Sequence, residues 1–161
     1  MRSVINSDGP AVIGIFNHYI EHSYAAFPEK PLPFPFFEKL RDLASGYPFY
    51  VIETDQHLVV GFGFLHAFRP MEVFGRSAET SYFIHPEHCR KGLGTQLLDR
   101  LIQDGKARGI DTLIATISSM NPESIMFHRK NGFHECGRLK TVGRKFATDF
   151  DIVIMQRVFK G

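Results

Sequence analysis

The sequence predicts an α/β (α+β) fold: a mixed sheet with helices on both faces, in one domain over residues 1–161. Three observations support this prediction. A length of 161 residues suits one domain and is tight for two. Hydrophobic residues make up 43% and charged residues 22%, which is typical of a globular protein. Hydrophobic periodicities follow the order helix, helix, strands, helix, strand, helix, strands, with no internal repeat or linker.

The first half of the chain predicts two helices and a hairpin. Residues 11–24 place apolar side chains on one helical face, namely Val12, Ile15, Phe16, Tyr19 and Ile20. Residues 8–10 (DGP) supply a cap and a first-turn proline for this helix. After a proline-rich loop, a second helix is expected to stop at Gly46. Two strand-like runs follow, joined at Asp55-Gln56 as a hairpin.

The second half predicts a strand, a turn, two helices and three further strands. The strand ETSYFI leads into HPEHCRKGLGTQLL, which reads as a turn followed by a helix. An apolar stripe marks that helix, formed by Leu93, Leu97, Leu98, Leu101 and Ile102. Gly109 closes it, and the buried strand TLIATI follows. Asn121-Pro122 begins a short helix that ends at Gly132, and two long strands complete the chain.

Composition and charge argue against several classes of protein. A net charge of +2, with no basic stripe, gives no reason to expect binding to nucleic acid. The sequence has neither an apolar run long enough to span a bilayer nor a signal-peptide core, so we expect no membrane partner. Cys89 and Cys136 form no CxxC pair or disulfide framework, which favours a cytoplasmic location.

The glycine-containing turn at residues 89–95 has the features of an anion site. Gly92 and Gly94 allow close approach of a ligand, and the N–H groups and dipole of a helix N-terminus favour negative charge. Arg90 and Lys91 add positive charge. The turn lacks the lysine of a Walker A loop and the third glycine of a dinucleotide fingerprint. The alternative is a tight turn with a solvated basic pair, which the residues alone leave open.

Taken together, ETSYFI, HPEHCRKGLGTQLL and NPESIMFHRKNGF resemble the GCN5-related N-acetyltransferase (GNAT) family. The similarity is to its phosphinothricin and methionine sulfone/sulfoximine acetyltransferase branch. NHYIEHSYAAF, FRP, SAETSYFI, GRKF and FDIVIMQ extend the match over nearly the whole chain. The resemblance implies a mostly antiparallel sheet, a homodimer, acetyl-CoA as co-substrate and no metal. It also implies direct acetyl transfer to the primary amine of a small amino-acid-like substrate, of the phosphinothricin or methionine sulfone/sulfoximine type.

The resemblance also implies where acetyl-CoA binds. The family loop reads Gln/Arg-x-x-Gly-x-Gly/Ala; Gly92 and Gly94 match it, whereas Cys89 stands at the Gln/Arg position. The expected contacts are Phe83 and Ile84 as backbone donors, Cys89, Arg90, Lys91, Gly92, Leu93, Gly94 and Thr95 in the loop, and Asn121 and Ser124 in the next helix. Two cations and a helix N-terminus beside Cys89 are expected to make its thiol reactive when the cofactor is absent.

Two residues are the catalytic candidates. Glu79 matches the position of the branch's catalytic glutamate and would deprotonate the amine, through a water molecule. Without that role it would pair with Arg76 or face solvent. His128 stands where many relatives carry a tyrosine that protonates the leaving thiolate. Its alternative role is packing or contact with CoA.

The amine site is expected to involve aromatic and arginine side chains that match the branch: Phe27, Phe68, Arg69, Phe74 and Arg76. Two positions depart from the pattern of relatives. Gly75 replaces an arginine, with Arg76 beside it, and Asp149 replaces a tryptophan. A different or smaller amine is therefore compatible with the sequence.

Other functions remain as alternatives. The same chemistry could act on a protein N-terminus, a polyamine or an antibiotic. The chain could also be a non-catalytic acyl-CoA-binding module, which the replacement at Cys89 favours and Glu79 opposes. A metal site at His85, His88 and Cys89 is less favoured, because no second ligand pair accompanies them.

Overall fold

The computed structural model of the protein describes residues 1–159, which contain seven strands and four α-helices. The strands are β1 (Arg2–Ser3), β2 (Phe49–Glu53), β3 (Val59–Ala67), β4 (Ser77–Ile84), β5 (Thr112–Ser118), β6 (His134–Lys145) and β7 (Thr148–Val158). The helices are α1 (Gly9–His22), α2 (Phe36–Leu43), α3 (Leu93–Ala107) and α4 (Pro122–Lys130).

All seven strands belong to one sheet, in the order β1-β2-β3-β4-β5-β7-β6. Every neighbouring pair is antiparallel except β4 and β5, which run parallel. The two parallel strands are joined by α3, as a parallel pair requires a crossover connection. The sheet is therefore mixed and mostly antiparallel, as the sequence and the family resemblance predict.

Helices cover both faces of the sheet because side chains alternate along each strand. On one face, α1 and α2 pack through residues such as Ile13 and Phe37 against Phe62 of β3. On the other, α3 packs through Leu97 and Leu101 against the opposite side of the same strands. We refer to these as the α1/α2 face and the α3/α4 face. The predicted layering is confirmed.

Three local features differ from the sequence predictions. The strand β1 was not predicted, because two residues are too short to show a periodic pattern. Helix α2 ends at Leu43 rather than at Gly46, although Gly46 does adopt the left-handed φ of 81° that stops a helix. Asp8 precedes α1 but does not cap it with its side chain. Its carboxylate pairs instead with Arg2, which lowers the pKa of Asp8.

None of the helices within residues 1–159 is both long enough and apolar enough to cross a bilayer.

Candidate active site

A gap in the sheet lies between β4 and β5. Strand β4 pairs with β3 over its length, from Ala67↔Ala78 to Gly61↔Ile84. Its pairing with β5 starts at Ser77↔Thr112 and ends at Glu79↔Ile114, although both strands continue. Among the residues that the structure describes, backbone groups on that edge of β4 beyond Glu79 therefore have no partner strand, and they are available to a ligand.

A cavity of about 840 Å³ lies at this gap. Its walls include Phe16 and Phe83 from the α1/α2 face and Tyr82 and His128 from the α3/α4 face. One orphaned polar atom lines it: within residues 1–159, Thr80 Oγ1 is buried without a hydrogen-bond partner. Since a buried hydroxyl is costly to leave unpaired, the wall is suited to a ligand with polar groups.

The N-terminus of α3 forms one end of the cavity. Gly92 occupies the N-cap position with a φ of 79°, a conformation that favours glycine, and contributes no side-chain cap. The first N–H groups of α3 consequently have no intrahelical acceptor and, within residues 1–159, no side-chain cap at Gly92. At Gly94, an added Cβ would lie 3.2 Å from the Phe127 ring, so a larger residue would crowd the same surface. An anion fits this arrangement of free donors and small residues.

The basic residues of the loop lie around this helix end. Arg90, at a φ of 60°, lines the cavity and pairs at 3.3 Å with Glu123 of α4. Both side chains are largely exposed, so this ion pair contributes little stability and is easily exchanged for a ligand. Lys91 is exposed and stands outside the cavity wall.

Helix α4 begins as predicted and borders the gap. Asn121 is its N-cap, and its Oδ1 accepts a hydrogen bond from the Ser124 backbone N–H at 3.2 Å. Both residues line the cavity. The capping role of Asn121 is thus confirmed, and its position also allows ligand contact.

His128 lies in α4 with only 4% of its surface exposed. Its Nδ1 is 2.7 Å from the Ser124 carbonyl oxygen, which can only accept, so the proton is on Nδ1. Its Nε2 then accepts a hydrogen bond from the Tyr82 hydroxyl. Burial lowers the pKa of His128 and raises the pKa of Tyr82 well above its usual value. At the cavity wall, the neutral His128 imidazole therefore accepts a hydrogen bond from the neutral Tyr82 phenol.

Glu79 lies at the point where β4 and β5 separate. It is half-buried, lines the cavity, and its Oε1 accepts a 2.6 Å hydrogen bond from Thr116 Oγ1 of β5. Arg76 does not pair with it, since that guanidinium binds Asp111 instead. One carboxylate oxygen is thus held by Thr116, in a side chain that forms part of the cavity wall.

Cys89 is half-buried at the loop end of the cavity. Its Sγ lies 3.6 Å from the carbonyl oxygens of Ile84 and His85 and 3.6 Å from the Tyr19 hydroxyl. Tyr19 also donates a 2.5 Å hydrogen bond to the Ile84 carbonyl. This network joins α1 to the end of β4.

The structure separates the residues predicted to bind the amine. Phe27 lines the cavity and stacks on Phe150, with ring centroids 6.1 Å apart. Four others stand outside the cavity wall, on the connection between β3 and β4: Phe68, Arg69, Phe74 and Arg76. Within this connection the Arg69 guanidinium stacks on Phe68, and Phe68 meets Phe74 edge to face. Arg76 pairs with Asp111, which lies next to the start of β5. Of these five residues, Phe27 alone lines the cavity, and their grouping in one amine site stays a prediction.

Three residues of the site were missed from the sequence. Tyr82 holds His128, Thr116 holds Glu79, and Tyr19 contacts the Cys89 sulfur. Strand alternation carries a partial signal, since it places Tyr82 and Glu79 on opposite faces of β4. Which strand or helix lies opposite each face depends on the tertiary fold.

Residues 1–159 contain no group of three or more histidine, cysteine or acidic side chains close enough to hold a metal ion. The His85 and His88 rings pack edge to face with centroids 6.0 Å apart.

The sequence that forms the parted strands and the helix N-terminus beside them was compared with models of known families. The model of the Acetyltransferase (GNAT) family matches residues 13–133. The chain belongs to this family. It is an N-acetyltransferase, and the region matched in this acetyltransferase runs from α1 through α4.

Individual relatives are similar over nearly the whole length of this acetyltransferase. An L-methionine sulfoximine/L-methionine sulfone acetyltransferase of Pseudomonas paraeruginosa is 32% identical over 152 residues, which cover 93% of this chain and 88% of the relative. A crystal structure of a phosphinothricin acetyltransferase from Sinorhizobium meliloti with AcCoA superposes with a TM-score of 0.92 at 28% identity, covering 98% of this chain and 86% of that one. A ribosomal-protein-alanine N-acetyltransferase from Brucella melitensis superposes with a TM-score of 0.89 at 34% identity, covering 98% of each chain.

Proposed function

We propose that this acetyltransferase moves the acetyl group of acetyl-CoA to the primary amine of a small amino-acid-like molecule. The observation that carries the proposal is the gap beyond Glu79. It places a half-buried carboxylate, an open strand edge and a free helix N-terminus around one cavity. The amine class is supported by relatives named for methionine sulfoximine, methionine sulfone and phosphinothricin.

The residues present fit acetyl-CoA. The N–H groups at Gly92, Leu93, Gly94 and Thr95 would hold its pyrophosphate, with Arg90 and Lys91 adding charge. The pantetheine arm, which carries amides, would lie in the gap against Phe83, Ile84 and the orphaned Thr80 hydroxyl, and near Asn121 and Ser124. When bound, acetyl-CoA supplies an acetyl group activated as a thioester.

Glu79 would act as the general base. The attacking amine must be neutral, and a carboxylate at the cavity wall can accept its proton directly or through a water molecule. Thr116 supports this role by fixing the orientation of the carboxylate from the neighbouring strand. Glu79 and the Tyr82–His128 pair lie on opposite faces of β4, so base and acid would act from the two sides of the gap.

We assign proton supply for the leaving thiolate to the Tyr82–His128 pair. His128 cannot donate from Nε2 while that atom accepts from Tyr82. The Tyr82 hydroxyl is therefore the group at the wall with a proton to give. Its single proton points to His128 Nε2, so transfer to the thiolate would require the O–H to rotate from the imidazole towards the gap. This modifies the expected role of His128, from direct acid to the residue that sets the donor.

A panel of acceptors tests the proposed function. The purified protein is incubated with acetyl-CoA and each amine, and release of free thiol is measured. Methionine sulfone, methionine sulfoximine and phosphinothricin are expected to release thiol above background, whereas spermidine and an alanine-terminated peptide are not. Thiol release with the peptide and with no other amine of the panel would favour acetylation of a protein N-terminal alanine, the activity for which the Brucella relative is named. Background release with every amine would contradict an enzymatic role and leave acyl-CoA binding as the function.

Substitution of the proposed base gives the second test. Glu79→Gln keeps an oxygen that can accept from Thr116 but removes the basic site, so kcat is expected to fall by about 100-fold or more. Glu21→Gln, an exposed position in α1, is the matched control and should leave kcat unchanged. An unchanged rate in Glu79→Gln would show that another group takes the proton.

We also propose a single domain, a homodimer and a cytoplasmic location. One sheet uses strands from Arg2 to Val158, which supports a single domain. Strand β6 is an edge strand with exposed Leu139 and Val142, which supports association through that edge. Both cysteines are free thiols, as in a reducing compartment. Light scattering on the purified protein tests the dimer, since a mass of one chain would exclude it.

A further inference from the structure

The GRKF motif, Gly143 to Phe146, contains a buried lysine that the proposed chemistry does not use. Lys145 ends β6 with 1% of its surface exposed. Its Nζ donates to the Ser23 carbonyl at 2.8 Å and to the Ala26 carbonyl at 2.7 Å. Within residues 1–159, no carboxylate lies within 4.0 Å of this ammonium group. A cation so placed is unusual, because burying an ammonium group without an ion pair is costly.

The two carbonyl groups belong to an irregular segment after α1. Residues 23–28 lie outside any helix or strand, so their backbone groups have no ladder partners of their own. Four consecutive residues of this segment, residues 25–28, line the cavity that also contains Glu79. Lys145 therefore binds the backbone of a segment that forms part of the cavity wall. Because these contacts are to carbonyl oxygens, substitution of the side chains in the segment would not remove them.

Aromatic contacts between the same two regions reinforce this attachment. Tyr24 packs edge to face on Phe146 and Phe150, at 5.4 and 6.0 Å, and Phe27 stacks on Phe150. Gly143 gives Phe150 its space, because an added Cβ there would lie 2.3 Å from the ring. The GRKF motif thus supports residues 23–28 in two ways. Gly143 leaves space for the Phe150 ring on which Tyr24 and Phe27 pack, and Lys145 donates hydrogen bonds to the backbone of the segment.

We propose that Lys145 is a positioning residue for the acceptor amine, fixing residues 23–28 as the wall that faces Glu79. The inference rests on the proposed function, because it assigns the amine to the Phe27 end of the cavity. The loop at Cys89 to Thr95 and the N-terminus of α4 are built from other elements. Lys145 therefore affects the amine and leaves the acetyl-CoA end unchanged.

Kinetic constants of Lys145→Met test the proposal. Methionine fills a similar volume but cannot donate to the carbonyl groups. The KM for the amine is expected to rise by about tenfold or more, as the loss of two charge-assisted hydrogen bonds implies, while the KM for acetyl-CoA stays within about twofold. Lys140→Met removes an exposed lysine of the same strand and should change neither constant. Equal rises in both KM values, or no rise, would overturn the proposal.

Hydrogen exchange tests the attachment independently of activity. Amides of residues 23–28 should exchange faster in Lys145→Met than in Lys140→Met, without any substrate. Unchanged exchange would overturn the inference even if the protein acetylates every amine of the panel. Conversely, absence of acetyl transfer in the wild type would count against the proposed function, and the exchange result would still decide the attachment. If Lys145→Met does not fold, Lys145→Gln, whose amide ends one atom short of the carbonyl groups, replaces it under the same criteria.

Discussion

Removal of the Tyr82 hydroxyl should reveal its coupling to His128. The substitution Tyr82→Phe keeps the ring, which packs between α3 and α4, and deletes one hydrogen bond. His128 Nε2 is then a buried acceptor without a donor, because Nδ1 remains engaged with Ser124. An orphaned buried polar group costs about 1–3 kcal/mol, so the free energy of unfolding should fall by that amount.

A double-mutant cycle separates this effect from simple loss of packing. In His128→Phe the Tyr82 hydroxyl loses its acceptor, so its further removal by Tyr82→Phe should cost little or even stabilise the protein. The coupling energy should therefore be about 1–3 kcal/mol, measured by urea denaturation of the four proteins. For a chain of this size, each kcal/mol corresponds to roughly 2–4 °C in melting temperature, which gives a second measurement.

If Tyr82→Phe destabilises both backgrounds equally, the hydroxyl and the imidazole are not coupled and the assigned tautomer is wrong. Tyr47→Phe, a half-buried tyrosine packed on the same core, should change stability by less than about 0.5 kcal/mol and controls for the loss of a phenol oxygen. In the acetylation assay, Tyr82→Phe should lower kcat and leave the KM for acetyl-CoA unchanged.

Two further predictions concern pH and the loop thiol. Burial lowers the pKa of His128, so below about pH 6.5 the unfolded chain binds a proton at this residue more readily than the folded chain does. The free energy of unfolding should therefore decline as the pH falls below that value, by no more than about 1.4 kcal/mol per pH unit. Urea denaturation at pH 7 and pH 5 should show less of this decline in His128→Phe than in the wild type, and an equal decline would contradict it. Cys89 should react with iodoacetamide in the free protein and be protected by saturating acetyl-CoA, as measured by mass spectrometry of the labelled peptide. Equal labelling with and without acetyl-CoA would place the cofactor elsewhere, and exposed Cys136 is the internal control that should label equally in both.

Local patterns were sufficient for most of the fold. The apolar stripe of α3 predicted its buried face, because residues three and four apart share one side of a helix. Gly109 and Gly132 have φ values of 85° and 81° just beyond the helices they were expected to end. Asn121 caps α4 through the contact expected of its residue type. Each of these features depends on neighbours in the sequence.

The arrangement of the site required long-range information. The family resemblance pointed to Glu79 and His128, but their partners come from other elements: Thr116 from β5 and Tyr82 from β4. The same resemblance grouped Phe27 with Arg76, but Phe27 lines the cavity, whereas Arg76 lies outside its wall and pairs with Asp111. Contacts between residues distant in sequence follow from strand order and register, which a local pattern does not encode.

The sequence by itself determined the elements of this protein, its two-sided sheet and the glycine turn at Gly92, because hydrophobic periodicity and glycine conformation act over a few residues. The tertiary structure decided where β4 and β5 part and thus where the cavity opens. It also decided that Lys145 lies inside rather than on the surface. A lysine in an otherwise exposed strand is expected to be solvated, and only the carbonyl groups of a segment about 120 residues away make its burial possible.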